Sequence, residues 1–472
     1  MSSCGSFSCH MPAEWHLHDA CLILYPHNPG VFRSEGISGS GVCGDGDGNG
    51  GDINKCNVAR AEVRNVARAI QIAGGEDVFL FCNSQEEART LEELLQKEAG
   101  GEDEDKDKAE ITNPSTARTC RIIVKVCNSD DSWCRDTGPT FVFAKNINID
   151  DAEKITSAPS LVGIDWNFNA YGGPEEGCYW PCELDRKVAG SMISILNEYY
   201  PHENEHEHAH EHEDPVMAPV PVRIQHEKIE DFILEGGSIH TDGEGTILTT
   251  KECLLNSNRN PHLSKSQIES ILKERLGATK VIWLPLGIAC DDDTNGHVDN
   301  IATFARPGEV VLSWTDDVND VNYERFRMAE EALGKECDAK GRKMKVHRLY
   351  VPDPMHYTAR EVATLEGGGG GDEITALISA DDGFKIGVEQ EAEACERCEG
   401  ERLAASYVNY YLANNAVILP QFGDAKYDKL AIATMKKIFP NLDIVGVYSR
   451  EILLGGGNIH CITQQLPRRH LS

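Results

Sequence analysis

The chain has 472 residues, of which 40% are apolar and 26% are charged, and its formal net charge is −32 at pH 7. Nothing in it approaches the ~18 consecutive apolar residues of a membrane helix, and so large a negative charge argues against nucleic acid as a partner. The 17 cysteines are odd in number and follow no framework spacing. Because no secretory leader precedes them, we expect a reducing, cytoplasmic location.

A helix followed by a strand recurs along the chain. Apolar residues at helical spacing from Val63 to Ile70 predict a helix that Gly74–Gly75 ends, and VFLF (78–81) follows as a strand. Three further pairs are predicted. A capping box of Ser84 and Glu87 opens a helix before the strand IIVKV (122–126), and a helix from Ser264 to Gly277 precedes the strand VIWL (281–284). A helix near 428–438 precedes the strand IVGVY (444–448). The predicted class is α/β.

Four stretches look like additions to a compact core. They are rich in glycine, acidic residues or histidine, and they lie near 36–56, 99–108, 202–215 and 366–373. Each lacks the apolar residues that a core of its own would need. We therefore expect one catalytic domain over 1–472 that carries these insertions.

A short motif occurs twice in the sequence. LEGGSIHT (234–241) and LGGGNIHC (454–461) align residue for residue, so that Thr241 occupies the place of Cys461. Two other segments, RDTGPTFVF (135–143) and NGHVDNIATF (295–304), also place small polar residues directly before an apolar strand. One module used several times would bring the four clusters to a common pole. The alternative is that glycine-rich turns merely resemble one another.

The clusters contain the side chains for nucleophilic catalysis. Cys461 is the candidate nucleophile, but a thiol with a pKa of ~8.5 is mostly protonated at neutral pH unless a positive charge lies near it. His297 is the candidate general acid and base, and in an extended segment Asp299 points to the same face. Asp136 and Glu235 add two further carboxylates beside glycines.

Carboxylates raise the pKa of a nearby thiol, so this set makes sense if the substrate is itself a cation. A planar guanidinium can be gripped by carboxylates in bidentate fashion, and it would supply the missing positive charge. His297 could then protonate the departing ammonia and later activate water to break the thiouronium intermediate. This chemistry is a hydrolytic deimination of a small cationic guanidino substrate.

Each residue also has a simpler interpretation. Cys461 could be a small buried hydrophobic side chain. His297 and Asp299 could form a local turn, and Asp136 could cap a turn. Glu235 could be an exposed charge on an edge strand. The functional interpretation therefore rests on the whole set.

Five motifs occur together and in order in this chain, namely MPAEW (11–15), SWCRDTGP (132–139), EGGSIHTDGEGT (235–246), NGHVDN (295–300) and GGGNIHCITQQ (455–465). With NYYLANNAVILPQFGD (409–424), they make the chain similar to the agmatine deiminases over nearly its whole length. The resemblance implies a five-bladed α/β propeller (pentein) of ββαβ modules with pseudo-fivefold symmetry. It also implies conversion of agmatine and water to N-carbamoylputrescine and ammonia, a step toward putrescine, without metal or organic cofactor.

The resemblance assigns roles to individual residues. Cys461 is implied as the nucleophile and His297 as the acid and base, while Asp136 and Asp299 hold the guanidinium and Glu235 lies beside them. Two substrate contacts are also implied: Trp133 lies along the substrate and Asp293 meets its far amino group. The segment that follows MPAEW departs from the family pattern. This departure concerns how the far end of the substrate, its alkyl tail, is recognised. Members of the family are commonly dimeric. The sequence itself does not decide the oligomeric state, so a homodimer is one possible assembly.

Two alternatives to this function are open. A bacterial-type peptidyl-arginine deiminase would share the chemistry but accept arginine within peptides, and it would call for a basic residue at the far end of the pocket. A metal-binding module is suggested by HENEHEHAHEHEDP (202–215), but its histidines lie among acids without ligand spacing, which favours a solvated loop. The single CERC (395–398) is weak support for zinc or redox chemistry.

Overall fold

The computed structural model describes residues 7–33, 56–100, 120–146, 160–200, 223–365 and 397–468. The expected insertions near 202–215 and 366–373 lie outside the described residues, as do all but the edges of those near 36–56 and 99–108. The histidine-rich segment and Cys395 of the CERC motif lie outside them too. Among the described residues, no helix has the length and apolar character to cross a membrane.

The described chain is α/β. Its strands are β1 (Phe7–His10), β2 (His18–Leu24), β3 (Asp77–Cys82), β4 (Ile122–Val126), β5 (Thr140–Asn146), β6 (Ser160–Asn167), β7 (Gln225–Ile233), β8 (Ile239–Thr241), β9 (Thr246–Thr250), β10 (Lys280–Leu284), β11 (Ala302–Arg306), β12 (Glu309–Trp314), β13 (Lys345–Tyr350), β14 (Tyr411–Leu412), β15 (Ala416–Gln421), β16 (Asp443–Tyr448) and β17 (Thr463–Pro467).

Its helices are α1 (Asn57–Ala69), α2 (Gln85–Gly100), α3 (Cys134–Thr137), α4 (Gly173–Glu176), α5 (Asp185–Tyr199), α6 (Lys251–Leu254), α7 (Lys265–Leu276), α8 (Tyr323–Lys335), α9 (Ala359–Val362), α10 (Tyr427–Ile438) and α11 (Arg450–Leu454). Helices cross between the parallel strands, because parallel pairing needs a long connection.

The described strands form five sheets, in the orders β17-β2-β3-β4, β1-β5-β6-β7, β10-β9-β8, β11-β12-β13 and β14-β15-β16. Each sheet contains the same unit: two antiparallel strands, a helical connection, and a third strand parallel to the second. In one unit, Ile239 of β8 lies opposite Thr249 of β9, and Lys280 of β10 lies opposite Thr246. The repetition inferred from the short motifs is therefore present in the ββαβ units.

The two ends of the chain meet in one sheet. Strand β17 pairs antiparallel with β2, and Thr463 lies opposite Ile23. Cys461 stands two residues before β17, so this pairing fixes the segment that carries the candidate nucleophile. Residues of β2 are buried from Ala20 to Leu24, which makes the sheet part of the core.

The predicted helix boundaries match the structure closely. Helix α1 continues through a π-helical turn to Gly74, and Gly75 takes a left-handed φ of 72° that favours glycine. Helix α7 begins with both halves of a capping box between Ser264 and Gln267. At α2 the Glu87 N–H donates to Ser84 at 3.1 Å, but the Glu87 carboxylate accepts from the Asn83 N–H instead. That second capping box is therefore only half formed.

Buried residues from different units pack together. Val66 of α1 and Ile418 of β15 belong to one cluster with Trp133, which lies next to the site. The cores of neighbouring units are thus continuous around the residues that carry the chemistry.

Candidate active site

The first strand of each ββαβ unit is preceded by a candidate site residue. Asp136 precedes β5, Glu235 precedes β8, and His297 with Asp299 precedes β11. Asn409 precedes β14 and Cys461 precedes β17. The four clusters predicted from the sequence therefore have a fifth member, Asn409, which opens a matched motif but received no role in the prediction.

Cys461 is buried and held by polar neighbours. Its Sγ accepts a hydrogen bond from Asn409 Nδ2 at 3.1 Å and lies 3.5 Å from Asp299 Oδ2. Burial raises the pKa of the Cys461 thiol well above its usual range, and Asp299 and Asp136 raise it further. Burial and the two carboxylates therefore favour the protonated thiol, and a positive charge beside it would favour the thiolate.

Two equivalent glycines of the repeated motif allow close approach around the thiol. A Cβ on Gly457 would lie 2.5 Å from Trp133 Cζ3 and 2.9 Å from the Cys461 Cβ. A Cβ on Gly237 would lie 2.6 Å from His297 Nδ1 and 3.0 Å from an oxygen of Asp136. Side chains at these positions would displace the reacting groups, which explains why glycines introduce Cys461.

Asp136 is oriented by two hydrogen bonds. Oδ1 accepts from the Gly237 N–H at 2.8 Å, and Oδ2 accepts from the Tyr171 hydroxyl at 2.9 Å. Burial raises the pKa of the Asp136 carboxyl, although His297 opposes the shift. A cation bound beside Asp136 would favour its ionised form.

His297 lies among acids, and Nδ1 is 3.9 Å from Asp136 Oδ1. Neither ring nitrogen makes a hydrogen bond of normal geometry with another described residue, and the Cys253 thiol lies beside the ring. Burial lowers the pKa of His297, but Asp136, Cys253 and Asp299 together raise it well above its ordinary value. These acids therefore favour the protonated imidazole, which can act as an acid.

Asp299 is held by a second histidine, His460. Asp299 Oδ2 lies 2.8 Å from His460 Nδ1, and the other ring nitrogen lies 2.8 Å from Glu14 Oε1. A histidine with carboxylates at both nitrogens needs both protons, so His460 is an imidazolium. Burial and Arg135 lower the pKa of His460, but Glu14 and Asp299 outweigh them and raise it. Asp299 Oδ1 has no hydrogen-bond partner within the described residues.

Glu14 gathers several cationic or donor groups. Glu14 Oε2 lies 3.3 Å from Nε2 of His240, which is the counterpart of His460 in the repeated motif, and Arg135 Nη1 lies 3.5 Å from Oε1. Burial raises the pKa of Glu14, but His460, His240 and Arg135 outweigh it and lower the pKa well below its usual value. The motif MPAEW (11–15) thus supplies a buried carboxylate, that of Glu14, which contacts His460 on the side opposite to Asp299.

Glu235 is paired with Arg259. Arg259 Nε donates to Glu235 Oε1 at 2.5 Å, and Nη2 donates to the carbonyl of Thr294 at 3.2 Å. Glu235 Oε2 has no hydrogen-bond partner in the described part of the chain. Arg259 therefore fixes the carboxylate while leaving one oxygen available.

Two buried groups in the described residues have the spacing of metal ligands, namely Glu14 with His240 and His460, and Glu235 with Cys253 and His297. Each already contains a cationic partner, because Arg135 and the His460 imidazolium face Glu14 and Arg259 faces Glu235. A metal ion would have to displace these partners. The donor sets therefore fit hydrogen-bonded networks better than metal centres.

A cavity of about 160 Å³ gives access to the site. Of the predicted residues, Cys461, Asp136, Trp133 and Asp293 line it. Glu235, His297 and Asp299 are fully buried and are not part of its wall. The structure therefore places the predicted residues in two layers. One layer lines the cavity, and the other, made of Glu235, His297 and Asp299, is fully buried behind it.

Asp293 meets a cation that the sequence did not predict there. Arg397 Nη1 donates to Asp293 Oδ1 at 2.9 Å, and Nη2 donates to Oδ2 at 2.5 Å. Arg397 belongs to the CERC motif, whose cysteine thiols were the only side chains considered in the prediction from the sequence. The assignment of Asp293 to a substrate amino group stays a prediction, since its charge is already balanced.

Comparison with known proteins assigns the chain to a family. The family model of the Porphyromonas-type peptidyl-arginine deiminases matches residues 10–467. The chain belongs to this family. The family is named after a peptide substrate, peptidyl arginine. Membership in it therefore does not by itself decide between agmatine and peptidyl arginine as the substrate.

Relatives within the family are similar over nearly their whole length. The agmatine deiminase of Medicago truncatula is 41% identical over 460 residues, covering 97% of this chain and 96% of that protein. The agmatine deiminase of Pseudomonas putida is 42% identical over 458 residues, covering 97% and 95%. The solved agmatine deiminase of Enterococcus faecalis, described as catalysing its reaction, superposes with a TM-score of 0.70 at 31% identity, covering 98% and 97%. The resemblance predicted from the motifs is confirmed.

Proposed function

We propose that this chain is an agmatine deiminase, a hydrolase that converts agmatine and water to N-carbamoylputrescine and ammonia, a step toward putrescine. The observation that carries the proposal is the buried Cys461 thiol, whose pKa is raised by burial and then by the carboxylates Asp299 and Asp136. A cationic substrate would oppose the effect of the two carboxylates. Relatives named agmatine deiminases, more than 40% identical over 97% of the chain, support the substrate.

Binding comes first in the proposed mechanism. Asp136 and Asp299 accept hydrogen bonds from the guanidinium, using oxygens that the network around them orients. The bound positive charge offsets the two carboxylates, so the Cys461 thiol can lose its proton to solvent. Trp133 lies along the alkyl chain of the substrate.

Covalent chemistry follows. The Cys461 thiolate attacks the guanidinium carbon, and the His297 imidazolium gives its proton to the departing amine, which leaves as ammonia. The neutral imidazole then takes a proton from water, the hydroxide adds to the thiouronium carbon, and cleavage of the C–S bond releases the ureido product and regenerates the thiol. Glu235 and Arg259 position this part of the site.

The five ββαβ units suggest how these residues share one site. We propose that they form a single five-bladed α/β propeller (pentein) domain over 1–472 with pseudo-fivefold symmetry, each unit presenting the residue before its first strand to a common centre. Continuous packing between units supports this arrangement. The odd, unpatterned set of 17 cysteines supports a cytoplasmic location.

Peptidyl-arginine deimination is the second candidate, favoured by the family name and by Arg397 in the cavity wall. A free cation there could meet a substrate carboxylate. However, both terminal nitrogens of Arg397 donate to the Asp293 carboxylate, so the pair offers little net positive charge. This balance favours the amine substrate.

The test is an assay of ureido product from agmatine, free arginine and a blocked arginine peptide, with the Cys461→Ser variant as the blank. We expect turnover of agmatine and little of the other two. Faster turnover of the peptide would replace the first candidate by the second, and no product from any of them would refute both.

A further inference from the structure

Asp291 is a buried acid to which the proposed chemistry gives no role. It stands at the start of the loop that carries His297 and is 5% exposed. Its Oδ1 accepts a hydrogen bond from the Thr294 hydroxyl at 2.7 Å, and its Oδ2 accepts one from Asn300 Nδ2 at 3.1 Å. The carboxylate therefore ties together two side chains on either side of His297.

The Thr294 hydroxyl links Asp291 to the backbone of His297. It donates to Asp291 and accepts a hydrogen bond from the His297 N–H at 3.0 Å. The Gly296 N–H also donates to the Asp291 carbonyl, at 3.1 Å. Asn295 and Gly296 have left-handed φ values of 56° and 80°, which are uncommon for asparagine. The hydrogen bonds to Asp291 therefore hold the turn from which the imidazole projects.

Asn300 links Asp291 to the thiol through one further side chain. Asn300 Oδ1 accepts a hydrogen bond from Asn409 Nδ2 at 3.0 Å, and the same Asn409 amide donates to Cys461 Sγ at 3.1 Å. A carboxylate only accepts, so it turns the NH2 group of Asn300 toward itself and leaves the amide oxygen for Asn409. Both asparagines are buried, so water does not compete for these bonds. Asp291 thereby sets the direction of the donor that meets the sulfur.

Asp291 also acts on the charge of His297. Burial raises the pKa of the Asp291 carboxyl to about 6, although His297 and the hydrogen bonds from Thr294 and Asn300 lower it, and Asp293 raises it. Because the imidazolium favours the carboxylate, the carboxylate favours the imidazolium to the same extent. Asp291 therefore supports the proton that His297 gives to the departing ammonia.

We propose that Asp291 is a positioning residue that holds the acid His297 and the nucleophile Cys461 in one arrangement through these two hydrogen-bond paths. This inference rests on the proposed function and deepens it. Both paths start from the same carboxylate, so a change there reaches both reacting groups. Asp291 is not among the described residues that line the cavity, so its loss should act on kcat rather than on KM.

The experiment measures ureido product from agmatine in the wild type and in Asp291→Asn. An amide offers one acceptor where the carboxylate offers two, so its NH2 group would face either the Thr294 hydroxyl or the Asn300 amide. One path is then broken and a buried donor loses its partner. We expect kcat to fall ~10- to 100-fold while KM changes less than about threefold.

Two readouts separate positioning from a general loss of structure. Removing the charge of Asp291 should lower the pKa of His297, so the falling limb of kcat against pH should move to lower pH. Asp291→Ala removes both acceptors and so breaks the path that Asn409→Ala also breaks. The double variant should therefore lose clearly less activity than the product of the two single losses.

Asp242→Asn serves as the comparison variant. Asp242 is 1% exposed and orders a turn by accepting from the N–H groups of Glu244 and Thr246, each at 2.8 Å. It is as buried as Asp291, and neither turn partner is a reacting group. Its kcat and its falling limb should therefore stay at the wild-type values.

Each result decides the matter. Unchanged kcat or an unmoved falling limb in Asp291→Asn, or single losses that multiply in the double variant, would overturn the positioning role. If the Asp291 variants do not fold, Thr294→Val removes the hydroxyl that joins Asp291 to His297, and unchanged kcat there would overturn it as well. A wild type that makes no ureido product from agmatine would instead refute the proposed function.

Discussion

Replacing Glu14 by Gln tests the buried network behind the thiol. In the wild type Glu14 Oε1 lies 2.8 Å from His460 Nε2, and His460 Nδ1 lies 2.8 Å from Asp299 Oδ2. Glutamine keeps the shape and one acceptor but removes the charge. His460 then faces a single carboxylate, so its pKa should fall and Asp299 should lose part of its cationic partner.

The size of the effect follows from burial. Glu14 is 6% exposed and His460 is fully buried, so solvent screens the pair little. Unit charges 4 Å apart interact by about 4 kcal/mol at an effective dielectric constant of ~20, and removing one partner of a buried pair costs about 3–5 kcal/mol. Because glutamine can still accept a hydrogen bond, we expect a loss of about 3 kcal/mol in the free energy of unfolding.

The loss should depend on pH in a defined direction. The pKa of Glu14 is lowered in the folded protein, so its contribution is present above its unfolded value of ~4.3 and disappears as pH falls through the folded value. The pKa of His460 is raised, so its contribution is complete below ~6.5 and disappears as pH rises through the folded value. The difference between wild type and variant should be largest between these limits.

Urea denaturation across this pH range provides the measurement. Glu330→Gln is a matched control, since Glu330 pairs with Arg348 at the surface and such pairs contribute about 0–1 kcal/mol. A Glu14→Gln loss below 1 kcal/mol, or one that does not vary with pH, would refute the idea of a buried imidazolium between two carboxylates.

Three further predictions concern the site. Cys461→Ser should abolish ureido product while circular dichroism stays unchanged, because a hydroxyl is far less ionised than a thiol; retained turnover would exclude covalent catalysis. Gly457→Ala should lower kcat at least tenfold, since its Cβ would lie 2.5 Å from Trp133 Cζ3; unchanged kinetics would contradict the close packing. Asn409→Ala should lower kcat about tenfold by removing the 3.1 Å hydrogen bond to the thiol, with KM little changed; an effect on KM alone would assign Asn409 to substrate binding.

Local patterns predicted much of the fold. The glycine stop gave the end of α1, and the caps gave both ends of α7 nearly to the residue, because helix ends depend on capping within the chain itself. Helix α1 begins at Asn57, before the first apolar residue of its predicted spacing. The duplicated motif at 234–241 and 454–461 indicated the repeated unit. The pairing of β17 with β2 joins segments at opposite ends of the sequence, and no local pattern could specify it.

The candidate site was predicted in part for the same reason. Cys461, His297 and Asp136 stand in glycine-rich turns that are visible in the sequence, and the structure gathers them. Glu14 and His460 lay inside quoted motifs, but their role depends on a contact across 446 residues. Arg259 comes from a segment without a distinctive pattern, and Arg397 lies in the CERC motif, which suggested only thiol chemistry. The ion pairs of both arginines therefore emerge only from the tertiary structure.

The central claim is that the bound guanidinium makes Cys461 reactive, and the ionisation of this thiol tests it most directly. In the free enzyme, iodoacetamide alkylates Cys461 at a rate that depends on the ionisation of the thiol. Measuring this rate at several pH values, by mass spectrometry of the peptide that contains Cys461, gives the thiol pKa. The rise of kcat with pH gives the value in the substrate complex. We predict a free pKa above the usual ~8.5 and a clearly lower value in the complex. A thiol already ionised at neutral pH without substrate, or equal values in both states, would contradict the account.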